Sequence, residues 1–305
     1  MHCNEINYNN CKLCARLCGV DRDNGQLGYC KSGNETTVCR AEPHFWEEPI
    51  ISGMHGSGAI FFGGCSLGCI FCQNREISNG GVGKIYSVDG LATLMLDLQK
   101  KGVHNVNLVT ATHFVPSIIS SVKIARAKGF MLPIVYNTGA YECVSTVKSL
   151  NNTVDVYLPD FKYYRKLTAN KLSNAPDYPK VAKDAIAEMV RQKPKPVIEN
   201  GLIKMGVVVR ILLLPGAVAE AKLSLRYLYE TYKNSIYISL MSQYTPMPGM
   251  TSPLNRKVTK EEYRQLVDYA ERLGVTQAFI QDTDSAQVKY VPEFDLSPIV
   301  KKPSN

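Results

Sequence analysis

The stretch Cys65-Ser66-Leu67-Gly68-Cys69-Ile70-Phe71-Cys72 decides how the rest of the chain is read. Its three cysteines follow a CxxxCxxC spacing inside GGCSLGCIFCQN. With ten cysteines in 305 residues, chance would place this pattern in roughly one such sequence in a hundred, so the spacing is itself a signal. Directly before it, Ala59-Ile60-Phe61-Phe62 is an apolar run that reads as a buried strand. Gly63 and Gly64 then end the strand and let the backbone turn sharply. Three thiolates on one tight loop suit a metal centre that takes soft ligands on one side only. A zinc site would want a fourth protein ligand, and no Cys or His follows closely enough to supply it. A disulfide would leave an odd thiol. Three cysteines in a glycine-rich loop are also poor core material.

Working outward, the length suits one large α/β domain, or one domain with a small appendage. An apolar fraction of 45% fills a sizeable core. The start, MHCNEINYNN, has no basic residues followed by an apolar run, so no signal peptide is expected. No stretch approaches about 18 uninterrupted apolar residues, so no membrane partner is expected, and a reducing cytoplasm is the expected location. The formal net charge is +8. Its Lys and Arg are scattered rather than blocked, which reads as a solvated basic surface and argues against a nucleic-acid partner.

Upstream, Cys11, Cys14, Cys18 and Cys30 fall in CKLCARLCGVDRDNGQLGYC. Four thiols this close read as a metal knuckle, with structural zinc and an auxiliary Fe–S cluster as rivals. Little apolar sequence surrounds them, so a metal would have to hold the segment together. The alternative is a loop of reduced thiols packed on the main domain. Residues 1–40 are therefore expected to be a small Cys-rich metal-binding segment. Residues 41–58, with the only Trp, are an expected extended connector, in which His44 and His55 serve surface or packing roles.

From residue 59, strand and helix patterns alternate, which argues for α/β architecture with a parallel sheet. Strands are expected at 59–63, 105–110, 132–138, 153–159, 206–214 and 235–241, with a seventh at 276–280. Ser87 caps one expected helix, Pro116 starts another, and Thr259 with Glu262 forms a capping box for the last. The crossover 162–204 carries a helix near 181–192, and Asn200-Gly201 signals a hairpin turn. The expected main domain is 59–282, followed by an irregular tail over 283–305.

CSLGCIFC, with Phe71 as the aromatic residue before the third cysteine, resembles the signature of the radical S-adenosylmethionine (radical SAM) superfamily. The longer IFFGGCSLGCIFCQN resembles the branch related to the pyruvate formate-lyase activating enzymes, and the likeness runs from about Cys11 to Asp282. It implies a partial (β/α)6 barrel of radical SAM type, which six βα units fit, with the chemistry at the carboxyl ends of the strands. It also implies that Cys65, Cys69 and Cys72 hold three irons of a [4Fe-4S] cluster. The open fourth iron would bind S-adenosyl-L-methionine through its amino and carboxylate groups. An external electron donor such as flavodoxin or ferredoxin would then drive cleavage to a 5′-deoxyadenosyl radical that abstracts hydrogen. The implied partner is a glycyl radical enzyme.

Phe71, Thr110, His113, Asn137 and Arg210 are the expected cofactor-binding residues. Many relatives carry Gly-Gly-Glu where this chain has Val109-Thr110-Ala111-Thr112-His113, so Thr110, Thr112 or His113 must take over. Asp160 and Lys162 resemble an Asp-x-Lys of activating enzymes and are the catalytic candidates. Arg210 sits within VVVRILLL and must find an anion or snorkel outward. It is expected to meet the cofactor carboxylate, the alternative being a structural ion pair. Gln243 and Tyr244 are expected to line the same site. Two rival readings are a non-catalytic Fe–S or zinc redox or electron-transfer protein, and a radical SAM enzyme that modifies RNA.

Overall fold

The computed structural model describes residues 6–281 and 294–297. Its strands are β1 (Thr36–His44), β2 (Ser57–Phe62), β3 (Lys84–Tyr86), β4 (Val106–Val109), β5 (Ile134–Thr138), β6 (Val156–Pro159), β7 (Val197–Glu199), β8 (Leu202–Leu212), β9 (Tyr237–Met241) and β10 (Ala278–Ile280). Its helices are α1 (Pro49–Ser52), α2 (Arg75–Ser78), α3 (Val88–Lys100), α4 (Val115–Ala127), α5 (Val144–Ser149), α6 (Lys166–Ser173), α7 (Tyr178–Gln192), α8 (Val218–Tyr232) and α9 (Lys260–Leu273).

The strands form one sheet in the order β10-β9-β8-β6-β5-β4-β2-β1-β3, with β7 paired to β8. From β2 to β10 every neighbour along that path is parallel. This is the expected α/β partial barrel, with β10 as the seventh strand. β2, β4, β5 and β6 are buried along their whole length, as parallel strands covered on both faces must be. The main core lies between these strands and the helices, where Phe62, Leu91, Leu108 and Ile118 pack together.

Local signals act where expected. Ser87 accepts from the Gly90 N–H to cap α3. Thr259 and Glu262 complete the capping box of α9, and Gly274 closes it in the left-handed region. Asn200 and Gly201 both have positive φ, 51° and 77°, which gives the type I′ geometry that joins β7 to β8.

The structure differs from expectation at the edge. β1 runs through the expected 40/41 boundary, so the start of the expected connector is a strand antiparallel to β2, from Val38↔Phe62 to His44↔Ser57. The physical reason is that β2 would otherwise present an unpaired edge. Arg40 and Glu42, on a half-exposed strand, hide the pattern. Helix α6 and strand β3 also form where none was expected. Of the expected tail, 283–305, only 294–297 falls within the described residues. Among the described residues no helix is long and apolar enough to cross a membrane.

Candidate active site

The carboxyl ends of the parallel strands open onto a pocket of about 250 Å³. Cys65, Cys69 and Cys72 line it from the loop after β2. That loop turns through Gly64 at φ 87°, where a Cβ would overlap the carbonyl oxygen of Cys30. Phe71 is buried and lines the same pocket, with its ring set edge-on to Tyr163 and Tyr244. Donors face the sulfurs. Ser173 Oγ lies 3.1 Å and Tyr163 Oη 3.6 Å from Cys69 Sγ, and the Leu67 N–H donates to Cys65 Sγ at 3.4 Å.

Burial pushes the Cys72 thiol up to about 12 and raises that of Cys65. Burial therefore disfavours the thiolates of Cys65 and Cys72, which a bound cation would hold. Among the described residues no three Cys, His, Asp or Glu side chains converge where one ion would sit. The donor set therefore fits a multi-iron cluster, in which each thiolate holds its own iron, and not a single ion.

The opposite wall is a buried charge network. Arg210 on β8 donates through Nε to Asp160 Oδ1 at 2.7 Å, through Nη1 to Glu47 Oε2 at 3.1 Å and through Nη2 to Asn137 Oδ1 at 2.5 Å. Lys162 Nζ donates to Asp160 Oδ2 at 2.6 Å. Asn107 and Asn137 donate to Glu47 Oε1 at 2.9 and 3.2 Å. Burial alone would raise Asp160, but Arg210 and Lys162 outweigh it and hold the carboxyl below its usual range. Burial likewise would lower Lys162, and Asp160 outweighs that and keeps it charged. Glu47 shares Arg210 with Asp160, and burial wins there and raises its carboxyl.

Thr110, Asn137, Asp160, Lys162, Arg210, Gln243 and Tyr244 all line the pocket. Two expectations need correction. Arg210 points inward, but each of its nitrogens is engaged by a protein partner, so it is the structural ion pair and not a free cation. Lys162, with two further N–H bonds to offer, is the cation better placed for a carboxylate. His113 does not line the pocket. It is buried, and its Nε2 donates to the Gly63 carbonyl at 2.8 Å, so it props the strand end beneath the cysteine loop. Burial, then Arg22, pushes it down to about 3. Thr112 does line the pocket, but its hydroxyl donates to the buried Glu142 at 2.7 Å. Thr110 holds φ 61°, a conformation that strains a β-branched residue, at the pocket wall.

Glu47 and Trp46 were not among the expected site residues, although both line the pocket. The string Trp46-Glu47-Glu48-Pro49 reads as a solvated loop until Arg210 is placed opposite it. An unpaired Arg inside an apolar strand is the signal that a buried acid must exist elsewhere.

The model of the Radical SAM superfamily matches residues 59–222, more than half of the chain. This protein belongs to that superfamily, whose members use a [4Fe-4S] cluster and S-adenosylmethionine. An uncharacterised protein of Methanocaldococcus jannaschii is 26% identical over 276 residues, covering 88% of this chain and 76% of its own. A solved radical SAM methyltransferase from Sphaerobacter thermophilus shares the fold, at TM-score 0.53 and 14% identity over 73% of this chain. The present chain spans 65% of that enzyme's length.

Proposed function

We propose that this protein removes a hydrogen atom from a carbon of a partner molecule, with a backbone glycine of a partner protein as the hydrogen donor. One observation carries the reading: three cysteine sulfurs and a compact charged wall face each other across a pocket of only about 250 Å³. When bound, the cluster and S-adenosylmethionine supply a carbon radical by one-electron cleavage of the sulfonium. Cys65, Cys69 and Cys72 would hold the cluster. Lys162 would neutralise the carboxylate of the methionine part, and Asp160 would keep Lys162 protonated and aimed. Thr110 and Asn137 would offer hydroxyl, amide and backbone groups to the same ligand. Phe71, clamped by Tyr163 and Tyr244, would exclude water from the sulfurs.

The pocket falls below the range of roughly 300–1,000 Å³ usual for small-ligand sites. A second cavity of about 940 Å³ adjoins it at Cys69 and Ser78 and gives a larger molecule a way to the sulfurs. A slender group offered at the mouth by a larger molecule fits better, and a glycine has no side chain to obstruct it. The likeness of GGCSLGCIFCQN to the activating-enzyme branch supports the same partner.

The test is anaerobic turnover with a strong reductant and a glycyl-radical-type partner deuterated at glycine. The expected products are 5′-deoxyadenosine carrying deuterium and a glycyl radical signal. Formation of S-adenosylhomocysteine with a methylated product would overturn the proposal.

A further inference from the structure

We propose that Cys11, Cys14, Cys18 and Cys30 hold a second, four-iron cluster directly behind the loop that carries Cys65, Cys69 and Cys72. All four thiols are free. Backbone turns gather the first three: the Leu17 N–H donates to the Cys14 carbonyl at 3.1 Å and the Gly19 N–H to the Cys11 carbonyl at 3.0 Å. Gly28 lies between two of the four: a Cβ there would stand 3.4 Å from Cys30 Sγ and 3.7 Å from Cys18 Sγ.

Two of the sulfurs are faced by donors. The Tyr29 N–H donates to Cys18 Sγ at 3.3 Å, and Arg22 Nη1 lies 3.6 Å from Cys11 Sγ. Neutral thiols call for acceptors, whereas donors aimed at sulfur suit metal-bound thiolates.

Arg22 gives independent support. It is 0% exposed. Its guanidinium donates to the Gly33 and His113 carbonyls and lies over the Tyr8 ring at 4.5 Å. Among the described residues no carboxylate pairs with it within ion-pair distance. A permanent cation taken wholly out of water needs an anion. Four thiolates outweigh the charge of the metal core they bind and leave a negative centre, which supplies that anion beside Cys11.

The segment also has little apolar core of its own. Residues 6–35 contain no helix or strand, and Leu13 is their only buried apolar residue besides cysteines. A piece this poor in core needs a metal to staple it. Zinc would draw four sulfurs to about 2.3 Å from one point. No such convergence exists among the described residues. A cluster gives each thiolate its own iron and accepts the wider spread, as at the first loop.

The test is iron and acid-labile sulfide on the anaerobically purified full chain, with about eight of each expected per chain from two [4Fe-4S] clusters. About four irons, or four irons plus one zinc, would overturn the proposal. The Cys65→Ala/Cys69→Ala/Cys72→Ala protein should keep about four irons and the EPR signal of a reduced four-iron cluster. A folded but iron-free triple variant would refute it. Should that variant not fold, Cys14→Ser/Cys30→Ser should halve the iron, and full retention would refute the site. Arg22→Gln should shift the second cluster's reduction to a more negative potential and leave the first unmoved, and an unshifted potential would contradict the counter-ion role. Metal content and potential are read without turnover, so they stand apart from the proposed hydrogen abstraction.

Discussion

Two cysteine-bearing regions meet back to back in this protein, and they are built in opposite ways. The 65–72 loop hangs from β2, whose six residues are all buried, so the barrel supports the ligands. The 11–30 segment has no regular element, so on the proposed reading its thiols and the cluster they hold would support the segment. Arg16 is the seam between them. Its guanidinium donates to the carbonyls of Ser66 and Leu67 on one side and of Ser173 and Asn174 on the other, and it stacks on Tyr29 at 3.8 Å. The contrast teaches that identical ligand chemistry can be a product of the fold in one place and a condition of it in another.

The sharpest way to break this contrast is to remove one ligand from each region. Cys69→Ala should abolish 5′-deoxyadenosine formation, by at least about a thousandfold, with the urea midpoint near wild type. Cys14→Ser should instead lower the urea midpoint and expose 11–30 to protease. Equal stability losses in the two variants would erase the distinction.

The wall opposite the first loop is the next place to press. Arg210→Met leaves Glu47 and Asp160 buried without their shared cation. A loss of about 3–5 kcal/mol in urea unfolding is expected. A loss under about 1 kcal/mol would show that the network is open to water.

Cutting the seam should act more gently. Arg16→Ala removes charge-assisted bonds to carbonyls and should destabilise by roughly 2–3 kcal/mol, read as faster limited proteolysis within 11–30 than in the barrel. Uniform cleavage across the chain would contradict its role as seam.

The smallest expected effect is a pH dependence. His113 is held down to about 3 against an ordinary 6.5, first by burial. The unfolded chain therefore takes up the proton first, and stability is full above 6.5 and lost as pH falls toward 3. Between pH 7 and pH 5 this histidine alone should remove about 2 kcal/mol, and His113→Gln should flatten that slope. An unchanged slope would mean that the ring is accessible to water.

The parallel strands were legible because both their faces are buried, and uninterrupted apolar runs such as Ile60-Phe61-Phe62 and Val207-Val208-Val209 announce that. β1 was not, because β3 pairs with it only over Thr36–Val38, and the rest, open on that side, carries Arg40 and Glu42 and looks like linker. The three cysteines of the first loop, which line one pocket, were readable as a group from their spacing. Arg210 could be flagged as a cation in need of an anion, but its partners Glu47 and Asp160 lie 163 and 50 residues away in sequence. Only the fold brings them together. His113 misled because a histidine after a strand end looks available, and nothing local shows that its ring turns back to Gly63.

The central claim is that Cys65, Cys69 and Cys72 leave one iron open for S-adenosylmethionine. The most direct test is the EPR spectrum of the dithionite-reduced Cys14→Ser/Cys30→Ser protein, recorded anaerobically with and without S-adenosylmethionine. The account predicts a four-iron signal whose g values change when the nucleotide is added. A signal that stays the same at saturating nucleotide would contradict it.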